Sequence, residues 1–574
     1  MVKVLFLLCY LASIEAIRFR ELLNGETHFH GIPVEKYVRS MNRLIAVTHN
    51  LNGKYTEHLP RFEDIEWDQN STSLEENPFL YQGDIVLTEE QLNAFVEDFE
   101  IQLAEKEGRR IPERLYSIGV NLWEKFPIYW SIDDKNPPSG GAAAIQAGIA
   151  LWQAATCLNF TQGSDSTNGH LKFYDGGSCF SPYGKHKENR VSITGGCGTP
   201  GIVAHEIGHS LGLFHTQTRP DAQSYIGIYW QYIRKGFEHN FQPPYANWSA
   251  TTRGLPYDLG SLMHYGRNAF AINSSVYTLL PRNQNYYETL GQRYAISFLD
   301  AKEVNMMYCE NQCPKKLSCY NGGYTDPKSC SKCRCPDGLA GNLCESLDSS
   351  PAKCGRGELS ATTQWQTLTI SGALNCNYRI MAPSGRKVVM VLDQVAFDGV
   401  NYQLGCDNSF VEVKYVEDLA PTGARFCARS GHRARTIVTP TSVNRAYILY
   451  RSQNANYRFS LRYYYATKKW RTLTTSGALN CNYRITAPRG RKVKMILNLV
   501  AFDGVNYQLG CEKSFVEVKY AQDLAPTGAR FCARSGNRAR RMVTPASVNS
   551  VYVLYRSQKR KHQFSLRYAY GKGF

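Results

Sequence analysis

Apolar positions fall into four textures along the 574-residue chain. Residues 4–11 form an apolar run behind Lys3, too short to span a bilayer, and Ala16 follows as a cleavage point. That pattern predicts a secretion signal over residues 1–16. AAAIQAGIALWQAAT (142–156) is Ala-rich with apolar residues at helical spacing and predicts a helix; 221–241 and 300–308 also carry helical character. Residues 313–344 hold almost no apolar positions from which to build a core. Beyond residue 353, runs such as SFVEVKY, NYRI and FSLRY alternate with Gly, Pro and Asn, the pattern of an all-β sandwich.

The strand pattern occurs twice. VAFDGVNYQLGC stands at 395–406 and again at 500–511, and DLAPTGARFCARSG at 418–431 and again at 523–536, a period of 105 residues. Such identity marks a tandem duplication, with copies at 354–466 and 467–571. The first copy has Cys354, Cys376, Cys406 and Cys427; the second has only Cys481, Cys511 and Cys532. The position 105 residues after Cys354 is Phe459, inside the last strand of the first copy. The second copy is therefore shortened at its start, and Cys481 is left as a free thiol or a bridge between chains. A site inside a sandwich favours burial.

Eighteen cysteines, one of them Cys9 in the signal, point to an oxidising compartment. The six at 313, 319, 330, 333, 335 and 344 must hold residues 310–346 together by disulfides, and fifteen pairings are open to them. No later stretch is apolar enough to span a membrane, so the chain is read as secreted, without a membrane span. Sequons at Asn70, Asn159, Asn247 and Asn273 suit glycosylation there. The net charge of +17 is uneven: residues 351–574 carry +24 and the first 350 carry −7. In an extracellular setting this basic tail suits an anionic glycan or matrix partner rather than nucleic acid. Residues 17–114 lack cysteine, are highly charged and end in EGRRIPER, where Arg110 and Arg114 offer an activating protease its cleavage points. They read as a propeptide.

The chemistry concentrates in HEIGHSLGLFHTQTRPD (205–221). On a helix, His205 and His209 stand one turn apart on one face and can bind one ion. Glu206 is rotated about 100° from His205, so it can reach a metal-bound water as a general base without being a ligand. Gly212 lets the chain leave the helix, and His215 returns as a third ligand. Three neutral histidines with a fourth position open are the donor set of a catalytic zinc site.

HExxHxxGxxH is the metzincin signature, and its continuation through Arg219, Pro220 and Asp221 resembles the astacin family. YDLGSLMHY (257–265) resembles that family's SxMHY. The resemblance implies Met263 in a Met-turn beneath the zinc histidines and Tyr265 as a distant fifth ligand that swings away and stabilises the oxyanion. LWEKFPIYWSI (122–132), GFEHNF (236–241) and LGQRYAISFLDAKEVNMMYC (290–309) resemble further family segments, so the resemblance covers most of 115–309. It implies an α+β metzincin catalytic domain, one zinc, protein substrates, and disulfides Cys157–Cys309 and Cys179–Cys197. YQGD (81–84) resembles the latency motif FxGD, which implies that Asp84 holds the zinc in the zymogen. CRCPDGLAGNLC resembles an EGF-like module, implying Cys313–Cys330, Cys319–Cys333 and Cys335–Cys344. The repeats resemble CUB domains, implying Cys354–Cys376, Cys406–Cys427 and Cys511–Cys532. Ser409 and Ser514 stand near the place where some CUB domains carry a calcium-binding Asp, so calcium is not expected. Thr216 departs from the Glu usual in astacins, which contacts the new N-terminus after activation. The expectation is a multidomain, secreted zinc endopeptidase made as a zymogen; the alternative is an adhesion protein with a vestigial peptidase domain.

Overall fold

The computed structural model describes residues 28–52, 75–110, 120–164, 168–243, 252–397, 405–427, 435–466, 471–487, 491–502, 511, 514–521, 527–532, 540–545 and 547–571. It divides into two compact units. One comprises Met1–Ala361, Gln366–Met381 and Met390–Tyr463; the other comprises Thr362–Trp365, Ala382–Val389 and Tyr464–Phe574.

The N-terminal region of the first unit is built on helices α1 (Val34–Asn52) and α2 (Glu89–Lys106). Thr88 starts α2 with a capping box: its hydroxyl accepts the Gln91 N–H, and the Gln91 side chain accepts the Thr88 N–H. The helices bury Val38, Met41, Leu44, Phe95 and Phe99 in a core that also takes in Tyr81 and Tyr183. Between them strand β1 (Ile85–Val86) runs parallel to Ser181–Pro182 of the central region.

The central region has a four-stranded parallel sheet of β2 (Ile128–Ile132), β3 (Phe160–Gln162), β4 (His170–Tyr174) and β5 (Glu188–Ser192), in the order β3-β2-β4-β5. Helix α3 (Ala142–Ala155) packs on helix α4 (Pro200–Ser210). Trp152 closes the contact, donating its indole N–H to the Ala204 carbonyl at 2.8 Å. Helix α5 (Phe298–Tyr308) completes this region, capped by Ser297. Residues 221–241 depart from the helical expectation. They form short 3-10 turns and a strand, Ile226–Ile228, which pairs with Leu279–Pro281. Gly236 has φ +88°, which a continuing helix excludes, and pairing with a distant strand outweighs the local pattern.

The cysteine-rich module has only two-residue strands and three disulfides, Cys313–Cys330, Cys319–Cys333 and Cys335–Cys344. Its Tyr324 joins an apolar cluster with Leu255, Phe298 and Leu299 of the central region and Ala420 of the first sandwich. The first sandwich has a five-stranded sheet in the order Glu358–Ser360, Asn375–Met381, Arg445–Arg451, Phe410–Lys414, Ala424–Phe426. A four-stranded sheet faces it: Gln366–Ser371, Arg458–Ala466, Lys387–Ala396, Arg435–Val438. Cys354–Cys376 and Cys406–Cys427 are bonded.

The second unit repeats this architecture around Val493, Met495, Val516, Val553 and Leu566, with Cys511–Cys532 bonded. Among the described residues it has no counterpart of Glu358–Ser360, so Asn480–Thr486 is an edge strand. Cys481 lies on that edge as a half-buried free thiol. The expected burial is incomplete because the strand that covers the first copy's edge is missing. Among the described residues no helix is long and apolar enough to cross a membrane.

Candidate metal centre

Helix α4 is fixed at both ends by its own sequence. Thr199 caps the start, accepting the Ile202 N–H at 3.3 Å, and Pro200 follows at the first helical position, where its missing N–H costs nothing. Gly212 turns the chain away with φ +92°, and a Cβ there would lie 2.8 Å from the Val120 side chain. The turn carries His215 back beneath the helix.

The three histidines converge. The Nε2 atoms of His209 and His215 each lie 3.2 Å from His205 Nε2. Each outer nitrogen is held by an acceptor: His205 Nδ1 donates to the Leu262 carbonyl at 2.9 Å and His209 Nδ1 to the Leu213 carbonyl at 2.8 Å. His215 Nδ1 donates to Gln82 Oε1 at 2.9 Å. Carbonyls accept only, so every Nε2 turns its lone pair inward. Burial pushes the imidazoles of His205 and His215 down, His215 to about 3, so both are neutral, as ligation requires. This donor set fits a divalent zinc ion.

Asp84, wholly buried, closes the fourth side. Its Oδ2 lies 3.2 Å from His205 Nε2 and 3.1 Å from His215 Nε2, and its Oδ1 lies 3.5 Å from His209 Nε2. Glu206 stands beside the cluster with both carboxylate oxygens buried and no protein hydrogen-bond partner among the described residues. Burial, then the charges of Asp84 and Glu75, raise it well above the usual carboxylate value.

Met263 lies under the helix, 2 % exposed, and Gly208 leaves it room: a Cβ there would sit 2.9 Å from its sulfur. Tyr265 packs on His215 with ring centroids 4.5 Å apart and donates its hydroxyl to the Gln82 carbonyl at 2.6 Å. Thr216 ties the third histidine to the segment around Met263. Its N–H donates to the Met263 carbonyl at 2.9 Å and its hydroxyl to Ser261 Oγ at 2.8 Å. Ser261 in turn donates to Asp300 at 2.6 Å.

The sequence pattern did not single out Glu75, Glu76 or Gln82. Glu75 pairs with Arg293 at 2.8 Å and Glu76 with Arg234 at 2.8 Å. Gln82 takes φ +52°, which places its side chain on His215 and its carbonyl on Tyr265. The only sequence signal was the charged pair Glu75–Glu76 shortly before YQGD. Cys157–Cys309 and Cys179–Cys197 are bonded in the central region. Asn159 and Asn273 are exposed; Asn70, Asn247 and Arg114 lie outside the described residues.

Residues 117–309 match the family model Astacin (Peptidase family M12A). The chain is 34 % identical over 480 residues to zinc metalloproteinase nas-34 of Caenorhabditis elegans, covering 80 % of this chain and 76 % of that protein. It is 36 % identical over 357 residues to zinc metalloproteinase nas-30 of the same organism, covering 61 % of this chain and 46 % of that one. A solved structure, the hatching enzyme zinc-protease HCE-1 of Oryzias latipes, aligns at 31 % identity over 33 % of this chain and 94 % of its own, with a TM-score of 0.30. With the convergent histidine triad, the adjacent buried carboxylate and a relative such as nas-34 matched over three quarters of its length, the chain belongs to the astacin family and is a zinc metalloendopeptidase.

Proposed function

We propose that the protein is a secreted endopeptidase made as a latent zymogen, with residues 17–114 as its prosegment and one zinc held by His205, His209 and His215. The observation that carries the reading is Asp84: a prosegment carboxylate sits within 3.5 Å of all three Nε2 atoms. Zinc bound there supplies Lewis acidity and a water of lowered pKa. The rest of the chemistry belongs to the chain. Glu206 accepts a proton from the attacking water and passes it to the leaving amine. Tyr265 gives its hydroxyl to the scissile carbonyl oxygen, a bond that the latent form spends on the Gln82 carbonyl. Cleavage near the exposed Arg110 or at Arg114 releases Asp84, Gln82 and Glu75 together.

Substrates are extracellular or matrix proteins. Residues 310–346 serve as an EGF-like module, and 354–466 and 467–571 as CUB-like modules without calcium. Their charge of +24 over 351–574 suits an anionic glycan or matrix partner, and salt-dependent retention on a sulfated support tests that. Thr216 bears no charge, so it makes no ion pair with a new N-terminus; catalysis does not depend on it. The decisive experiment is Glu206→Gln in protein cleaved near Arg110–Arg114. It is expected to retain zinc and lose peptide hydrolysis by about 10²–10⁴-fold. Hydrolysis at the parent rate overturns the role given to Glu206, and a cleaved parent that hydrolyses no peptide, with or without chelator, favours a vestigial peptidase domain on an adhesion protein.

A further inference from the structure

The first β-sandwich meets the peptidase domain through buried polar contacts. Asp258, 3 % exposed, accepts the Thr422 backbone N–H at 3.1 Å and the Thr422 hydroxyl at 3.2 Å, and on its own side the Gly260 N–H at 3.0 Å. Gly260 lies so close that a Cβ there would stand 2.5 Å from the Thr422 methyl. Glu288, 1 % exposed, accepts the Cys427 N–H at 2.7 Å and pairs with Arg435, while its carbonyl takes the Cys406 N–H at 2.9 Å. A Cβ on Gly405 (φ +89°) would lie 2.6 Å from the Leu290 carbonyl oxygen. Two residues on, Asp407 accepts the backbone N–H of Arg293. Buried groups such as these are strongly disfavoured when unpaired, so they define one docking geometry rather than a loose tether.

The two gripped segments are those that shape the metal centre. Residues 258–260 lead directly into Ser261–Tyr265. Gln292 donates its amide to the Gly260 carbonyl at 3.1 Å, linking the two segments. Arg293 donates its guanidinium to the carbonyls of Leu262 (3.0 Å) and His264 (2.9 Å). The Leu262 carbonyl is also the acceptor that orients His205. Asp407, Arg293, Leu262 and His205 thus form a short hydrogen-bonded path from the sandwich to a metal ligand.

We propose that the first β-sandwich is a positioning element of the peptidase: Thr422 and Asp407 hold the segments on either side of Met263 in their working geometry, so the catalytic unit runs on through the first sandwich rather than ending at Cys309. The inference rests on the peptidase activity itself, which the parent enzyme reports in the same assay. The test uses full-length activated enzyme and a short peptide substrate. Thr422→Asp sets a second carboxylate against Asp258. It is expected to lower kcat about tenfold or more at nearly constant KM, with zinc content retained and faster amide exchange over residues 258–265. Thr422→Ser keeps both hydrogen bonds and is expected to match the parent. A Thr422→Asp enzyme whose thermal midpoint falls while kcat and KM stay at parent values overturns the proposal, because the contact is then only structural. Should Thr422→Asp not fold, Asp407→Asn weakens the Arg293 contact alone. A roughly threefold lower kcat with zinc retained supports the proposal, and an unchanged kcat overturns it.

Discussion

Asp84→Asn, in a chain whose Arg110 and Arg114 are replaced by Gln to block cleavage there, tests whether the Asp84 carboxylate enforces the proposed latency. The substitution preserves shape and removes one negative charge from a wholly buried position, 3.1 to 3.5 Å from three imidazole nitrogens. Removing one partner of a buried charge contact costs about 3–5 kcal/mol, which weakens the docked prosegment by about 10²–10⁴-fold. Much of the docking survives. Ile85–Val86 still pairs with Ser181–Pro182, Tyr265 still donates to Gln82, and Tyr81 and Phe95 still pack edge-on against Phe214. Glu75 and Glu76 keep Arg293 and Arg234. The uncleaved Asp84→Asn chain is therefore expected to hydrolyse a fluorogenic peptide measurably but well below the mature rate, where the uncleaved parent gives no signal. Adding Glu75→Gln, which leaves Arg293 without its carboxylate, is expected to raise the rate further. The reasoning fails if zinc-loaded Asp84→Asn is as silent as the parent; bulk in the cleft, not the carboxylate, would then enforce latency.

Two other perturbations probe the scaffold. Gly208→Ala forces a methyl to within 2.9 Å of the Met263 sulfur and is expected to cost about 1–3 kcal/mol of stability, seen as a lower thermal midpoint; an unchanged midpoint would show that Met263 moves freely. In the first sandwich, Glu412 is buried; burial pushes its carboxyl up, but Arg425 and Lys414 outweigh it and hold it at about 2. A carboxyl depressed in the folded state stabilises above its unfolded pKa and loses that contribution as pH falls, here between about pH 4.5 and about pH 2, with a swing of about 3 kcal/mol. Glu412→Gln is expected to flatten the acid limb of the melting profile over that window, and an unaltered limb refutes the assignment.

What could be read from the chain and what could not divide along sequence separation. His205 and His209 lie one helical turn apart, and Gly212 and His215 within two turns more, so spacing alone places them together. The same holds for α3, whose apolar spacing marks its buried face. Asp84 lies 121 residues from His205 and Glu75 lies 218 from Arg293. Contacts at that range leave no period in the chain; Asp84 was reachable only through its likeness to a latency motif, and Glu75 not at all. The failure at 221–241 has the same origin. Its local pattern suits a helix, but Ile226–Ile228 finds a partner strand some fifty residues on, and the positive φ at Gly236 is set by that packing.

Thr216 shows how a departure from pattern can be structurally neutral and still informative. Beside a metal ligand, a side chain must either be charged and paired or be small and hydrogen-bonded, because burial penalises anything else. Thr216 takes the second course: its hydroxyl reaches Ser261, and through Ser261 the buried Asp300, whose carboxyl burial and the nearby Asp258 raise to about 6. Asp300 also accepts the Leu262 N–H, so the chain of bonds from Thr216 ends on the segment whose carbonyl orients His205. A Glu at position 216 would place a second carboxylate near this group. The neutral residue instead leaves the Ser261–Asp300 network intact, and the segment beneath the histidines is held from within the catalytic domain by Asp300 and Arg293, while Thr422 of the first sandwich meets it at Asp258.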